Sequence, residues 1–385
     1  MREELFLDSA LISRNHDGET LCGDFSKMFG TDSEPVFVLS DGMGSGVKAN
    51  ILATLTCTIL GRLLEHGIPL AECVDTIAAT LPVCRERHMA YATFTAMQIS
   101  GDRLFLVEYD NPSAVLIRSG KVFKTGCNVR FVGEKEIHQR QIEIMPDDVL
   151  VLMSDGVTHS GIGRTNDDGW SAAEAGQFLA DNSPVGSSAA VMAAVLDKEC
   201  SRLSNGALDD DRTIAVMRFC YRSTVNLMMG PPENPKDDEK MLKQFFAKKG
   251  QHIVCGGSTG SMVSRYLCKP IELVEGSGNE QVPDMAKLDG IDLLTEGIIT
   301  LKAALDLRDR LKYKPELILE LHDSPEELLY KKLFLESTNV NIFFGTAANA
   351  AHKDIGISFE TKLEAIKNLQ TELRQAGKKV NKEYF

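Results

Sequence analysis

Two Ser-Asp-Gly tripeptides, each following an apolar run of strand length, constrain this chain more than any other feature. The first ends Val36–Ser40 and opens Ser40-Asp41-Gly42-Met43-Gly44-Ser45-Gly46; the second, Ser154-Asp155-Gly156, follows Val149–Met153. An aspartate just past a strand is held by a rigid element yet faces out of the core. The glycine after it lets the backbone turn, so that its carbonyl is offered as well. Asp24, in Gly23-Asp24-Phe25, and Asp210, in the triplet Asp209-Asp210-Asp211 before the run Ile214–Phe219, stand in similar places. One Asp-Gly is ordinarily a turn; the repetition carries the argument. Converging carboxylates repel one another unless a cation neutralises them. All-oxygen donors suit Mg²⁺ or Mn²⁺ rather than zinc or copper, and none of the eight histidines has a competing metal-ligand spacing.

Around these aspartates the chain reads as strands mixed with helices. Val36–Ser40, Leu104–Tyr109, Ala114–Arg118, Val149–Met153 and Ile214–Phe219 are rich in Val, Ile, Leu or Phe and bounded by turn residues. Apolar residues at helical spacing predict a helix over Val47–Glu65, stopped by His66-Gly67 and Pro69, and others over Leu70–Leu81, Ala172–Ala180 and Ser187–Leu203. Arg103–Val122 reads as an antiparallel hairpin, which favours antiparallel sheets flanked by helices over a doubly wound fold.

Near residue 220 the pattern changes. After the strand Thr224–Met229 and the breaker Gly230-Pro231-Pro232, strand-turn-helix units recur: helix Asp237–Lys249, strand His252–Cys255, helix Ser261–Leu267, strand Ile271–Val274, a further unit over Ile291–Leu307 and a terminal helix from Glu360 to about Gln375. Such units argue for a smaller, Rossmann-like α/β domain over 222–385 behind a first domain over 1–221. A length of 385 residues accommodates both. Gly256-Gly257-Ser258-Thr259-Gly260 lies between a strand and a helix, so its amides and the Ser258 and Thr259 hydroxyls suit a phosphate-bearing small ligand. Glu296, in the next such turn, is placed to hold a ribose or a cation. Both are also what tight βα turns look like.

Composition narrows the partners. The net charge of −13 sits almost wholly in residues 1–220, with 31 acidic against 19 basic residues, while 221–385 is nearly balanced at 24 against 23. An acidic half disfavours nucleic acid or an anionic membrane as partner, although a solvated acidic surface has the same composition. No uninterrupted apolar stretch approaches the ~18–20 residues of a membrane span. Met1-Arg2-Glu3-Glu4 carries acids where a signal peptide carries bases. Nine cysteines without a Cys-x-x-Cys pair read as reduced thiols of a cytoplasmic protein.

Taken together, Gly23-Asp24, Ser40-Asp41-Gly42-Met43-Gly44-Ser45-Gly46 with Ala49 in the helix behind it, Ala92-Thr93-Phe94, Ser154-Asp155-Gly156 and Asp210-Asp211-Arg212-Thr213 resemble the phosphatases of the stage II sporulation protein E type. These are a branch of the metal-dependent (protein phosphatase 2C-like, PPM) superfamily, and the resemblance covers about residues 8–220. It implies an α+β fold, an α-β-β-α sandwich, and phosphoserine or phosphothreonine hydrolysis by a water activated between two Mn²⁺ or Mg²⁺ ions. By the same resemblance Asp41 bridges the metals and Gly42 ligates through its carbonyl. Asp155 and Asp210 hold one ion, Asp24 holds the other, and Asp211 is second choice to Asp210. The catalytic set is then Asp41, Asp155 and Asp210.

The implied substrate is a phosphorylated protein in partner-switching signalling, such as a STAS-type anti-sigma-factor antagonist. Met43 stands where animal relatives carry a histidine, which leaves His159 as a candidate proton donor and Arg14 as a candidate phosphate ligand. Trp170 reads as a packing residue or part of a flap. The rival reading is an inactive phosphatase-like module that docks a partner or senses a ligand.

Overall fold

The computed structural model describes residues 5–385 apart from 32, 70, 71, 74, 78–91, 133, 134, 167 and 348–358. The chain forms two compact units: Leu7–Cys220, and Tyr221–Phe385 together with the first residues through Phe6. The helix expected over Leu70–Leu81 falls mostly outside the described residues.

The first unit is α+β, with two antiparallel sheets. One contains β1 (Phe6–Arg14), β6 (Val115–Arg118), β7 (Lys121–Phe123), β10 (Val149–Met153) and β11 (Arg212–Cys220) in the order β1-β11-β10-β6-β7. The other contains β2 (Asp24–Gly30), β3 (Pro35–Gly42), β4 (Ala92–Ser100), β5 (Arg103–Tyr109), β8 (Asn128–Val132) and β9 (Lys135–Glu143) in the order β2-β3-β4-β5-β9-β8. Helix α1 (Gly46–Glu65) packs on β2, β3 and β4, and the helix Ala189–Leu203 packs on β11. Consecutive residues of β10 and nearly all of β3 and β11 are buried. A sheet buries both faces only when each is covered, which is why these strands read as unbroken apolar runs. The described helices and sheets give the expected α+β class, with a helix packed on each sheet.

Helix α1 is long and apolar enough to cross a membrane, despite the expectation that no stretch would be. Its Cys57, Leu60 and Leu64 nevertheless lie in a core cluster with Phe29, Val36, Val38 and Phe94, as in the core helix of a globular unit. Cys57, Cys73, Cys200, Cys220 and Cys255 are buried and form no disulfide among the described residues.

In the second unit, β16 (Leu293–Thr295), β13 (Gln251–Cys255), β12 (Thr224–Met229), β17 (Asn339–Phe344) and β18 (Lys379–Tyr384) run parallel in that order. The short strands β14 (Glu272–Leu273) and β15 (Ala286–Lys287) add an antiparallel margin. Met228, Val254 and Phe343 of three neighbouring strands share a core with Met241 and Phe245 of the helix Asp238–Ala247 and Met262 and Val263 of the helix Gly257–Leu267.

Candidate metal centre

Strand register builds one half of the site. Asp24 of β2 lies directly opposite Asp41 of β3, and opposed residues of an antiparallel pair point to the same face, with Cβ atoms about 5 Å apart. Asp41 is therefore still inside its strand and not in the turn after it. On its other side β3 pairs with β4, Asp41 opposite Thr93, and Ser40 Oγ donates to the Thr93 carbonyl at 2.8 Å.

The second sheet supplies the other half. The β10–β11 ladder ends at Met153 opposite Ile214. Beyond it Ser154 N donates to Thr213 O at 3.0 Å, and Thr213 N donates to Ser154 Oγ at 2.9 Å. This clasp aligns the second Ser-Asp-Gly with the aspartate triplet. Asp155 opens a single helical turn, α2 (Asp155–Thr158), so His159 falls one turn on. His159 Nδ1 stands 3.8 Å from Asp155 Oδ2 and 3.7 Å from Asp210 Oδ2. One donor atom from each of the three residues fits within 4.8 Å.

The glycines after the two aspartates are required for a reason other than the expected one. Neither has the positive φ that favours glycine. A Cβ on Gly42 would come within 2.0 Å of the Ala49 carbonyl oxygen in α1, and one on Gly156 within 2.2 Å of the Asp211 carbonyl oxygen. Close backbone approach, not turning, fixes glycine at both places, and it draws α1 and the triplet onto the two aspartates.

The three aspartates of the triplet point three ways. Asp209 pairs with Arg164 at 2.8 Å. Asp210 faces Asp155 and His159 and accepts the Asp211 amide proton at 2.9 Å. Asp211 is buried; its Oδ1 accepts from His16 N at 3.0 Å, and its Oδ2 has no hydrogen-bond partner among the described residues.

Both carboxylate oxygens of Asp24 are likewise buried without a hydrogen-bond partner among the described residues. The Ser154 and Thr213 hydroxyls stand near enough to hold its pKa below what burial alone would give. Ser154 Oγ accepts from Thr213 N, and Thr213 Oγ1 shares a hydrogen bond with Ser13 Oγ at 3.0 Å.

The electrostatics follow. Burial, then the neighbouring Asp211 and Asp155 charges, raise Asp24 to about 7. Burial and the charges of Asp24, Asp155 and Asp210 push Asp41 well above the carboxylate range. Burial and Asp155 raise Asp210, while the Asp211 amide and His159 oppose the shift. Orphaned buried oxygens within a group of mutually repelling carboxylates fit hard divalent cations, which supply the missing charge and take oxygen donors.

Other expected residues fall elsewhere. The Arg14 guanidinium is engaged by Asp197, which also holds Arg212 at 2.8 Å. Trp170 donates from Nε1 to the Val157 carbonyl at 2.5 Å and packs edge-on against Phe178, which makes it an anchor of the loop after α2. Glu19, which the sequence did not single out, accepts from Ser45 Oγ at 3.3 Å above the glycine turn.

In the second unit, the helix after Gly256 begins at Gly257, earlier than expected, and Gly256 adopts φ 124°. The Thr259 hydroxyl, expected to line an anion site, is instead buried and accepts from Gly230 N at 3.0 Å. Glu296 caps its own helix, accepting from Ile299 N at 3.2 Å.

The sequence that carries this site is similar to known proteins. Residues 31–220 match the family model described as stage II sporulation protein E (SpoIIE). Stage II sporulation protein E of Bacillus subtilis (strain 168) is 27% identical over 191 residues, covering 48% of this chain and 22% of that protein. The protein of the same description from Priestia megaterium is 24% identical over 224 residues, covering 56% of this chain and 37% of that one. The matched stretch thus spans well under half of these relatives' length. Among solved structures, the PP2C phosphatase domain with a fragment of the regulatory domain of Bacillus subtilis SpoIIE aligns at TM-score 0.49 and 21% identity. It covers 57% of this chain and 65% of that one. Residues 31–220, which carry both Ser-Asp-Gly segments and the aspartate triplet, thus match the stage II sporulation protein E family.

Proposed function

We propose that the first unit is a metal-dependent protein serine/threonine phosphatase. The observation that carries this reading is the Asp24–Asp41 pair facing Asp155 and Asp210, with buried carboxylate oxygens that nothing in the described chain satisfies. In this reading Asp41 would serve both Mn²⁺ or Mg²⁺ ions, Asp155 and Asp210 would hold one, Asp24 the other, and the Gly42 carbonyl would be a further ligand. Asp211, one of whose oxygens accepts from the His16 amide, is second choice to Asp210. Two such ions, when bound, supply a nucleophilic water near neutral pH and screen the charge of the phosphate.

The chain's own part is to hold the ions and to manage the proton of the leaving oxygen. His159 Nδ1, half-exposed and facing Asp155 and Asp210, is the side chain at hand for that proton, in the absence of a histidine at Met43.

The substrate in this proposal is a phosphorylated protein of a partner-switching pathway, of the STAS-type anti-sigma-factor antagonist class. The second unit is read as a Rossmann-like regulatory domain, supported by its parallel strands and covering helices. The free amides at Gly257 and Ser258, both exposed, would receive a phosphate-bearing small molecule. A Mn²⁺-dependent assay on an aryl phosphate, with the full chain beside one ending at Tyr221, tests both parts. Hydrolysis that EDTA abolishes supports the enzyme, and a change of turnover on truncation supports regulation. Absence of Mn²⁺-dependent hydrolysis from both chains overturns the first and favours a docking module.

A further inference from the structure

A cleft of ≈ 480 Å³ opens beside the carboxylates, lined by His159, Ile162 and Arg164 on one side and Asp209 and Asp210 on the other. It lies in the loop that follows α2, and that loop is firmly built. The amides of Arg164, Thr165 and Asn166 all donate to the Gly161 carbonyl, each at 3.0 Å. Thr165 Oγ1 donates to Leu203 O at 2.6 Å, and Gly161 N to Ser204 Oγ at 3.2 Å. Arg164 is therefore presented by a fixed backbone.

Its guanidinium is fixed too. Nε and Nη2 donate to the two oxygens of Asp209 at 3.0 and 2.8 Å. That side-on grip leaves the Nη1 edge, with its two N–H groups, unpartnered among the described residues. Ile162, on the same loop, leaves 44% of its surface exposed. The wall thus offers one apolar contact and one oriented pair of donors.

We propose, on the phosphatase reading above, that this cleft receives the peptide flanking the phosphorylated residue and that Arg164 selects an acidic side chain there. Asp209 cancels most of the arginine's charge, so what remains is directional: a planar fork aimed by its partner, the geometry that pairs with a carboxylate. A phosphoprotein substrate has to lay chain across the ground beside the reacting phosphate, and this cleft shares Asp210 with the metal centre. An exposed pair of this kind is worth up to about fivefold in binding.

The test uses two phosphoserine peptides, identical except that glutamates flank the phosphoserine in one and lysines in the other, with an aryl phosphate as a third substrate. Under Mn²⁺ the full chain should favour the glutamate peptide in kcat/KM by about fivefold. Arg164→Gln, which retains a donor toward Asp209, should bring the ratio to about one, with the change in KM. Arg164→Glu should invert it, and Arg164→Lys should keep part of it. Because the readout is a ratio, a variant of lowered activity remains informative.

A wild-type ratio near one, a ratio that none of the variants moves, or hydrolysis of the aryl phosphate alone overturns the subsite. A loss by one common factor on all three substrates also overturns it, since Arg164 then acts through Asp210 or on the phosphate itself. If the wild-type chain hydrolyses none of the three under Mn²⁺, it is the phosphatase reading that fails.

Discussion

The two units put polar groups at the ends of their strands in opposite ways. In the first, Asp24 and Asp211 hold buried oxygens without partners, and Asp41, Asp155 and Asp210 crowd like charges together. In the second, the polar groups at the ends of the parallel strands are already occupied: Thr259 by the Gly230 amide and Glu296 by Ile299. Across the middle of its sheet, Asn381 donates to Asn341 and Asn341 to Asn226, a ladder over three strands. A buried charge without a partner costs more than the fold returns unless a ligand arrives; an occupied turn is stable as it stands. The contrast marks the first unit as the one that crowds buried carboxylates together at its strand ends.

The largest effect belongs to the metal-bearing carboxylates. Charge stabilisation by a bound cation amounts to several kcal/mol, and each 1.36 kcal/mol is tenfold in rate. Asp41→Asn, Asp155→Asn and Asp210→Asn should therefore each lower Mn²⁺-dependent turnover by about a thousandfold or more, measured on an aryl phosphate. Asp211→Asn should cost distinctly less, because Asp211 faces His16 and not the Asp155–Asp210–His159 group. A greater loss for Asp211→Asn than for Asp210→Asn would move the ligand register by one residue.

Next comes the stability of the metal-free chain. Folded Asp24 keeps its proton up to about pH 7, whereas an unfolded aspartate gives it up near pH 4. Between those values the folded state binds more protons, so stability falls as pH rises. Asp41 and Asp210, both raised, add to the same slope. EDTA-treated protein should thus lose several degrees of melting temperature between about pH 5 and pH 8. Mn²⁺ should restore it by binding the folded state alone, and Asp41→Asn should remove that restoration. A flat EDTA curve coinciding with the Mn²⁺ curve would falsify the carboxylate cluster.

Third are the two glycines. Gly42→Ala drives a methyl into the Ala49 carbonyl and Gly156→Ala one into the Asp211 carbonyl, and overpacking of this kind costs about 1–3 kcal/mol. Because each clash sits on a site aspartate's neighbour, turnover should fall together with the melting temperature. Stability lost at either position with turnover intact would show that the close approach serves packing only.

How much of this the sequence carries depends on the element. The strands buried on both faces, β3, β10 and β11, are legible as apolar runs, and α1 as a periodic helix. Strands β1, β2 and β4 are not, since polar residues interrupt the apolar pattern: Ser26 and Lys27 in the partly exposed β2, and Thr93 and Thr95 in the mostly buried β4. Asp24 therefore stands out by its motif and not by its strand, and its facing of Asp41 emerges only from register. His159 carries a local signal: Asp155 and His159 are four apart, which places them on one helical face as soon as α2 forms. In the second unit β17 and β18 are missed because Asn339, Asn341 and Asn381, whose value lies in the ladder, read as breakers. The directions of Asp209, Asp210 and Asp211 are set by Arg164, His159 and His16 from distant parts of the chain, and no local pattern predicts them.

The smallest effect tests whether the second unit has any appetite for anions. Ser258 is exposed at the second position of the helix Gly257–Leu267, whose Gly256 cap offers no side-chain acceptor. A carboxylate there faces the positive end of the helix dipole, worth about 0.3–1 kcal/mol. Ser258→Asp should accordingly raise the melting temperature of this unit by about 1–3 °C in phosphate-free buffer. Inorganic phosphate should then raise that of the wild type and leave the variant's nearly unmoved, since the two anions compete for the same amides. An equal rise in both proteins places phosphate elsewhere, and no rise in either leaves Gly256–Gly260 as a closed βα turn. In that case the contrast between the units holds at these turns: one unit crowds carboxylates together, and the other has Thr259 and Glu296 already engaged by backbone amides.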